Sequence, residues 1–402
     1  MKNGFSRRGF LKGLGIGVGA AIGARLPGSS FIGEAKAATP KPTTLFVIHF
    51  VGGMNAIFAS ADSLNGRFGV AAGNQANIGN GLVIDKTFAD GLPAIAKQKM
   101  AAVGVRHQIS SHPNARRAMW TSGSNSNNAG LVLASAIGGT ASIKAAVVGG
   151  NLIADAPGGT VNGVSFQAIT DMQKTIDALG GGVANPRVPD RTVALAGMTA
   201  AQAMSGNALA GSPESLESVA NGYTAAVDTL KQPVKQFDIG DLRTAYQLGA
   251  NQTAVNSFRA KLAAAELMAR AGTNVVAAFD GGWDTHGDTQ GTTVRNKMTQ
   301  YVLAPLNTFL SRMLADTSRN VMVALIGDFA RSLPGSDHQP NLSALVFGNN
   351  VKVGTTGKTL NNSVALPAGT PSTQGFWSLL SGLAKTDTQP FGAPQHGGLI
   401  LA

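Results

Sequence analysis

The chain contains no cysteine among its 402 residues. Thiolate metal sites, thiol nucleophiles and c-type haem attachment are therefore excluded, and an exported form must rely on its core rather than on disulfides. Aromatic residues are scarce, at 6% with three Trp and three Tyr, and charged residues make up only 13%. Bases would find little to stack on and no basic run, so nucleic acid is not expected as a partner despite a net charge of +11. Residues 1–37 carry six basic side chains against one acidic, which leaves +6 on the remainder. That remainder is thinly spread and supports only a mild attraction to anionic envelope surfaces. There is no internal repeat and no long charge block, and no glycine pair has the spacing of a dinucleotide-binding loop.

What the N-terminus does have is a twin-arginine pattern, Ser6-Arg7-Arg8-Gly9-Phe10-Leu11-Lys12, followed by the weakly apolar stretch Gly13–Gly23 and the small-x-small site Ala35-Lys36-Ala37. The apolar stretch is too short for a permanent membrane helix, and nothing after residue 37 is long or apolar enough to span a bilayer. Residues 1–37 are thus expected to be an export signal read by the twin-arginine machinery, with the mature chain periplasmic or extracellular. The rest, 38–402, is expected to form one domain.

Continuous apolar runs predict buried strands at Thr44–Val51, Met100–Val105, Ala145–Gly150, Asn274–Phe279, Asn320–Gly327 and Leu342–Gly348. Helical spacing predicts helices over Asp241–Gly272, from Thr293 to Ala315 and around Thr373–Leu383. Helix and strand alternate in the rhythm of βαβ units, which gives an α/β fold with a mainly parallel sheet. Residues 151–240, rich in Ala, Gly, Ser and Asn, are expected to be a helical insertion, with helices at Asp171–Leu179 and Ser215–Leu230.

Chemistry gathers where apolar runs stop. Asn274–Phe279 gives way to Asp280-Gly281-Gly282-Trp283-Asp284-Thr285-His286-Gly287-Asp288, in which Asp284 and His286, two apart, point to one side of an extended loop. Asp280 and Asp288 read as supporting or turn residues. The first strand ends in Gly52-Gly53-Met54-Asn55, where paired glycines allow a sharp turn or a close approach of backbone to a ligand. His49, inside that strand, reads as a hydrogen-bonded core residue. Ser111 is placed as the N-cap of a helix with Pro113 in its first turn, and His112 at that start reads as neutral, serving as ligand, base or cap. Asp328 follows the Asn320–Gly327 run and, with Arg331 close behind, also reads as a buried ion pair. Asp337-His338 and His396 lie in later loops. These oxygen and nitrogen donors suit Zn, Mn, Mg or Ca, one or two ions, and nothing softer.

The motifs Gly52–Asn55, Ser111-His112 with Ala115 and Trp120–Gly123, Gly281–His286, Gly327–Arg331 and Asp337-His338, taken in this order, resemble those of the exported bacterial family known as domain of unknown function 1501. That family is similar to the alkaline phosphatase and sulfatase superfamily, and the resemblance implies a three-layer α/β/α fold with a metal site at the strand ends. It implies Asn55, Asp284, His286, Asp337, His338 and His396 as metal ligands, with Ser111 or His112 facing the substrate. Asn55 is neutral where the wider group has a carboxylate, and Ser-His-Pro stands where it has a Ser or Thr nucleophile. The expected function is a metallohydrolase acting on a small phosphate or sulfate ester, with Arg331 neutralising the anion. The alternative is an envelope binding or assembly protein that keeps the fold without the chemistry.

Overall fold

The computed structural model describes residues 41–64, 70–123, 126–181, 191–209, 227, 237–332, 336–357, 366 and 369–401. The expected export signal lies outside these. Eight strands form the central sheet: β1 (Thr43–Phe50), β2 (Met100–Arg106), β3 (Ala145–Val148), β4 (Phe166–Ile169), β5 (Val275–Asp280), β6 (Asn320–Gly327), β7 (Asn341–Gly348) and β8 (Gly354–Thr356). Their order is β8-β2-β7-β6-β1-β5-β3-β4, and every pairing is parallel except the two that β7 makes with β6 and β2. All eight residues of β1, β6 and β7 are buried, as both-face coverage requires. The antiparallel β7 follows from its connection: the described residues among 328–340 contain no helix, and 13 residues are few for a parallel crossover, so the chain turns back beside β6.

Six helices of the described chain matter to the site: α1 (His112–Trp120), α2 (Ala129–Ile137), α3 (Phe258–Ala271), α4 (Thr292–Lys297), α5 (Ala304–Ala315) and α6 (Thr373–Ala384). Alternation along β1 assigns their sides. Phe46 meets Phe309 of α5 edge-on at 4.8 Å. On the opposite face, His49 lies parallel to Trp120 of α1 at 6.4 Å, and Trp120 packs on Trp377 of α6 at 5.8 Å. The result is the expected mixed α/β architecture, with helices on both faces of a mainly parallel sheet. The expected helix from Thr293 to Ala315 is α4 and α5 joined through the π-helical turn Met298–Leu303. The stretch Asp241–Gly272 is broken into Ile239–Ala245 and α3. None of the described helices is long and apolar enough to cross a membrane.

Residues 151–240 give the sheet more than was expected, since β4 pairs in parallel with β3 at its edge. Only Ile169 of that strand is buried, which is why it does not read as an apolar run. The expected helix at Asp171 is present as Met172–Ile176, with the Asp171 carboxylate accepting from Lys174 N at 2.9 Å. A further helix spans Arg191–Leu209, and the expected Ser215–Leu230 helix lies outside the described residues apart from Val227.

The sheet's register brings the working segments to one rim. Phe50 of β1 sits opposite Asp280 of β5 and Gly327 of β6, and Asn341, which opens the antiparallel β7, sits opposite Arg106 at the end of β2. The loops that leave β1, β2, β5 and β6 therefore start side by side.

Candidate metal centre

The loop after β5 is shaped from below by Trp283. Its ring packs on Phe50 at 4.4 Å, its Nε1 donates to Asp280 at 2.7 Å, and Lys297 of α4 lies 4.6 Å over its face while donating to Gly281 O. With Trp283 buried, the next residue turns outward. Asp280 is thus a loop-shaping residue, and Asp288 accepts from Val294 N at 3.0 Å near the start of α4, so both have the supporting roles expected of them.

Asp284 is the hub. His286 Nε2 lies 3.3 Å from its Oδ1, as the two-residue spacing predicts, and His338 Nε2 lies 3.9 Å from the same oxygen. His112 Nε2 approaches Oδ2 at 3.5 Å, and His286 Nε2 and His338 Nε2 are 2.9 Å apart. Phe329, buried, packs on both His338 at 4.4 Å and His112 at 4.8 Å and holds the two rings in place. Three imidazoles thus present Nε2 toward one carboxylate.

The other ring nitrogens face acceptors. His112 Nδ1 is 2.6 Å from Asp328 Oδ2, His338 Nδ1 is 2.8 Å from Ser110 O, and His286 Nδ1 is 3.5 Å from Asp337 Oδ1. A carbonyl can only accept, so the neutral His338 carries its proton on Nδ1 and offers a lone pair at Nε2. Burial lowers the His338 pKa and outweighs the Ser110 carbonyl; Arg331 and the two neighbouring imidazoles push the same way, so the ring is neutral at pH 7. At 2.9 Å from that lone pair, His286 Nε2 requires a proton or a cation between them. The same holds for His112 Nε2, a buried nitrogen without a hydrogen-bond partner that faces a carboxylate oxygen. His112, Asp284 and His338 offer donor atoms within 4.8 Å of one another, so this is a group able to hold a metal ion. Such second partners on ligating histidines are the common arrangement around protein-bound metals.

Arg331 takes a different place from the one expected. It is 0% exposed and cannot meet a substrate anion. Its Nε donates to Gly52 O at 2.6 Å, and its other nitrogens donate to Ser336 O and Asp284 Oδ1, so it clamps three segments. The Asp328–Arg331 pair read from the sequence is not formed by any direct contact. Asp328 bonds instead to His49, His112, Gly52 N and Arg116.

The remaining expected residues divide. Asp337 stands behind His286 rather than beside Asp284. Asn55 is buried, and its Oδ1 accepts from Ile57 N at 3.2 Å; no contact joins it to the imidazoles. Ser111 is at the N-cap position, exposed, and makes no capping hydrogen bond through its side chain. The helix start at His112 is read more accurately from its neighbours than from the dipole, because carboxylates face both ring nitrogens. His396 belongs to another part of the molecule, where its Nδ1 meets Thr356 Oγ1 of β8 at 2.6 Å; burial, not an acidic partner, lowers its pKa to about 4. Asp328, one of the expected donors and marked by its place directly after a buried strand, stands behind His112 at Nδ1 rather than beside Asp284, and His49 is the hydrogen-bonded core residue it was expected to be. Arg116 and Phe329, which support this arrangement, were not among the expected site residues.

The family described as Protein of unknown function (DUF1501) matches residues 163–367, just over half of the chain. The chain belongs to this family. The matched span holds Asp284, His286, Asp328, Arg331 and His338, whereas His112 reaches the cluster from outside it. No curated protein matches. Among solved structures, the crystal structure of Ps i-CgsB in complex with k-i-k-neocarrahexaose is 9% identical, with a TM-score of 0.33 over 88% of this chain and 74% of that one. Alkaline phosphatase from the Antarctic bacterium TAB5 is also 9% identical, with a TM-score of 0.28 over 81% of this chain and 96% of that one. Likeness of this degree does not extend to the chemistry of the rim.

Proposed function

We propose that the protein is an exported metallohydrolase whose His112, Asp284, His286 and His338 hold one divalent ion. The observation that carries this reading is the convergence of three imidazole Nε2 atoms on Asp284, each with an acceptor behind its Nδ1. Three nitrogens and one carboxylate favour Zn or Mn over Mg and Ca, which prefer all-oxygen surroundings. His112, Asp284 and His338 offer donor atoms within 4.8 Å of one another, and His286 adjoins them at 3.3 Å from Asp284 and 2.9 Å from His338. When bound, the ion supplies Lewis acidity and a water of lowered pKa. The chain's own residues do the rest: Arg331 orients Asp284, Asp328 orients His112, and the Ser110 carbonyl orients His338. Asp284 and His286 are each 52% exposed, so a ligand approaches from solvent. Asp337, 68% exposed beside His286, is the carboxylate placed to accept a proton on that open side.

The substrate class, a phosphate or sulfate ester, rests on the order of the sequence motifs, and export rests on the Arg7-Arg8 pattern. A non-catalytic envelope protein is the second reading. It is favoured by the helix start itself, where Pro113 occupies the first turn and Ser111 at the N-cap is exposed and makes no capping hydrogen bond. Metal analysis of protein purified from its native compartment, followed by assay on generic phosphate and sulfate esters, tests both. About one equivalent of Zn or Mn with turnover that Asp284→Asn abolishes is the expected result. Bound metal without turnover would favour the second reading, and no bound metal with no metal-dependent turnover would overturn the first.

A further inference from the structure

A hydrogen-bonded chain runs from the core to the candidate centre through Trp120, His49, Asp328 and His112. An indole N–H only donates, so His49 Nδ1 accepts from Trp120 Nε1 at 3.0 Å, and the proton of the neutral imidazole lies on Nε2. That N–H donates to Asp328 Oδ1 at 2.7 Å. Asp328 is buried with the His49 N–H, the Gly52 N–H and an Arg116 guanidinium N–H all directed at its two oxygens, so it serves as an ionised acceptor. An ionised carboxylate only accepts, so His112 Nδ1, at 2.6 Å from Oδ2, must be a donor. Gly52 N and an Arg116 N–H, each at 3.2 Å, complete the shell. Each proton position up to His112 Nδ1 is forced by the link before it.

We propose that Trp120, His49 and Asp328 are positioning residues that fix the Nδ1–H tautomer of His112 and so turn its Nε2 lone pair toward a cation at Asp284. This rests on the reading of the cluster as a metal centre. None of the three touches the ion; they act by denying His112 its other tautomer, which would place a proton where the metal bonds. A carboxylate at position 328 accepts from both imidazoles, whereas an Asn has one accepting and one donating end. Asp328→Asn therefore satisfies only one of the two imidazole N–H groups and lets His112 exchange tautomers.

Two measurements on folded full-length protein test this: the 15N shifts of His112 in metal-free protein, and the Kd for Zn by chelator competition. In Asp328→Asn, His112 is expected to lose its pure Nδ1–H signature and Zn affinity to fall roughly 10–100-fold, the range for removal of such outer partners. His49→Gln, whose amide can both accept from Trp120 and donate to Asp328, is expected to stay within about threefold of wild type, while His49→Leu falls about tenfold or more. If Asp328→Asn does not fold, Trp120→Phe, which keeps an aromatic ring but removes the N–H, together with the His49 pair decides the matter. Unchanged tautomer and affinity in Asp328→Asn, or in both Trp120→Phe and His49→Leu, would overturn the proposal. Wild-type protein that binds Zn with none of these variants altered rejects the relay alone. Wild-type protein that binds neither Zn nor Mn rejects the centre itself, and the relay's cation-facing role with it.

Discussion

A guanidinium with no exposed surface and three oxygen partners is a joint rather than a ligand. Arg331 ties the end of β1 through Gly52 O, the connector after β6 through Ser336 O, and the β5 loop through Asp284. A lysine places one ammonium where a planar fork served three directions, so Arg331→Lys leaves buried carbonyls unpaired. At about 1–3 kcal/mol for each orphaned group, a loss of roughly 2–4 kcal/mol is expected in urea unfolding, with weaker metal binding because Asp284 is freed. A variant within about 0.5 kcal/mol of wild type would mean that the clamp carries no load. His396 supplies a second residue-scale prediction, on pH. Its folded pKa is lowered from 6.5 to about 4 by burial, and it is 2% exposed. Between those values the unfolded chain binds a proton that the folded chain refuses, so the stability it contributes is whole above pH 6.5 and is lost as pH falls toward 4. Against His396→Gln, wild type is expected to lose on the order of 2–3 kcal/mol more between pH 7.5 and pH 4.5. Parallel stability curves for the two proteins would show that the imidazole does not titrate as its burial demands.

At the scale of elements, the approach of β1 to the loop after β5 decides where Asp284 stands. Gly52 has φ +111°, and a Cβ there would lie 2.4 Å from Asp284 N and 2.8 Å from the Trp283 carbonyl carbon. The obstacle is backbone, so no rotamer relieves it. Gly52→Ala is expected to cost about 2–4 kcal/mol through strain and overpacking and to displace Asp284, lowering Zn affinity at least tenfold. Gly281→Ala, where a Cβ meets nothing within 4 Å, should stay within about 0.5 kcal/mol by the same thermal melt. Equal behaviour of the two would contradict the geometry. The sequence made the double glycine conspicuous, and the general reason, close backbone approach, was right; what approaches is the protein's own loop. Continuous apolar runs likewise made six of the eight strands legible. The direction of β7 was not, because a strand buried on both faces reads the same whichever way it runs, and only the shortness of the connector before it carries the information. Nor was the partner of Asp328 legible. Arg331 was the local choice, yet the carboxylate is met by His112 and His49, 216 and 279 positions away.

At the scale of the whole molecule, the candidate centre draws on α1, the β5 loop and the β6–β7 connector, three segments that only the folded sheet brings to one rim. The sequence showed which residues carried chemistry but not which would meet, since that depends on strand order: β5 and β6 flank β1, whereas His112 follows β2, three strands from β1 on the β6 side. His396, collected with the others on composition, ended beside β8 for the same reason. A centre assembled in this way exists in the folded chain and not in the unfolded one, so an ion that fills it stabilises the entire fold. At a free concentration one hundred times Kd the gain is about 2.7 kcal/mol. With an unfolding entropy of roughly 2.1 cal/mol/K per residue, a chain of this size should melt about 3–4 °C higher. Calorimetry of the folded, metal-stripped protein with and without Zn measures this, and excess chelator should return the lower Tm. Asp284→Asn is the necessary control, because ions gathered loosely by exposed carboxylates elsewhere would shift variant and wild type alike. A rise seen in wild type and absent in the variant places the ion at Asp284; the same rise in both places it elsewhere, and no rise in either leaves the three imidazoles sharing protons instead of a metal.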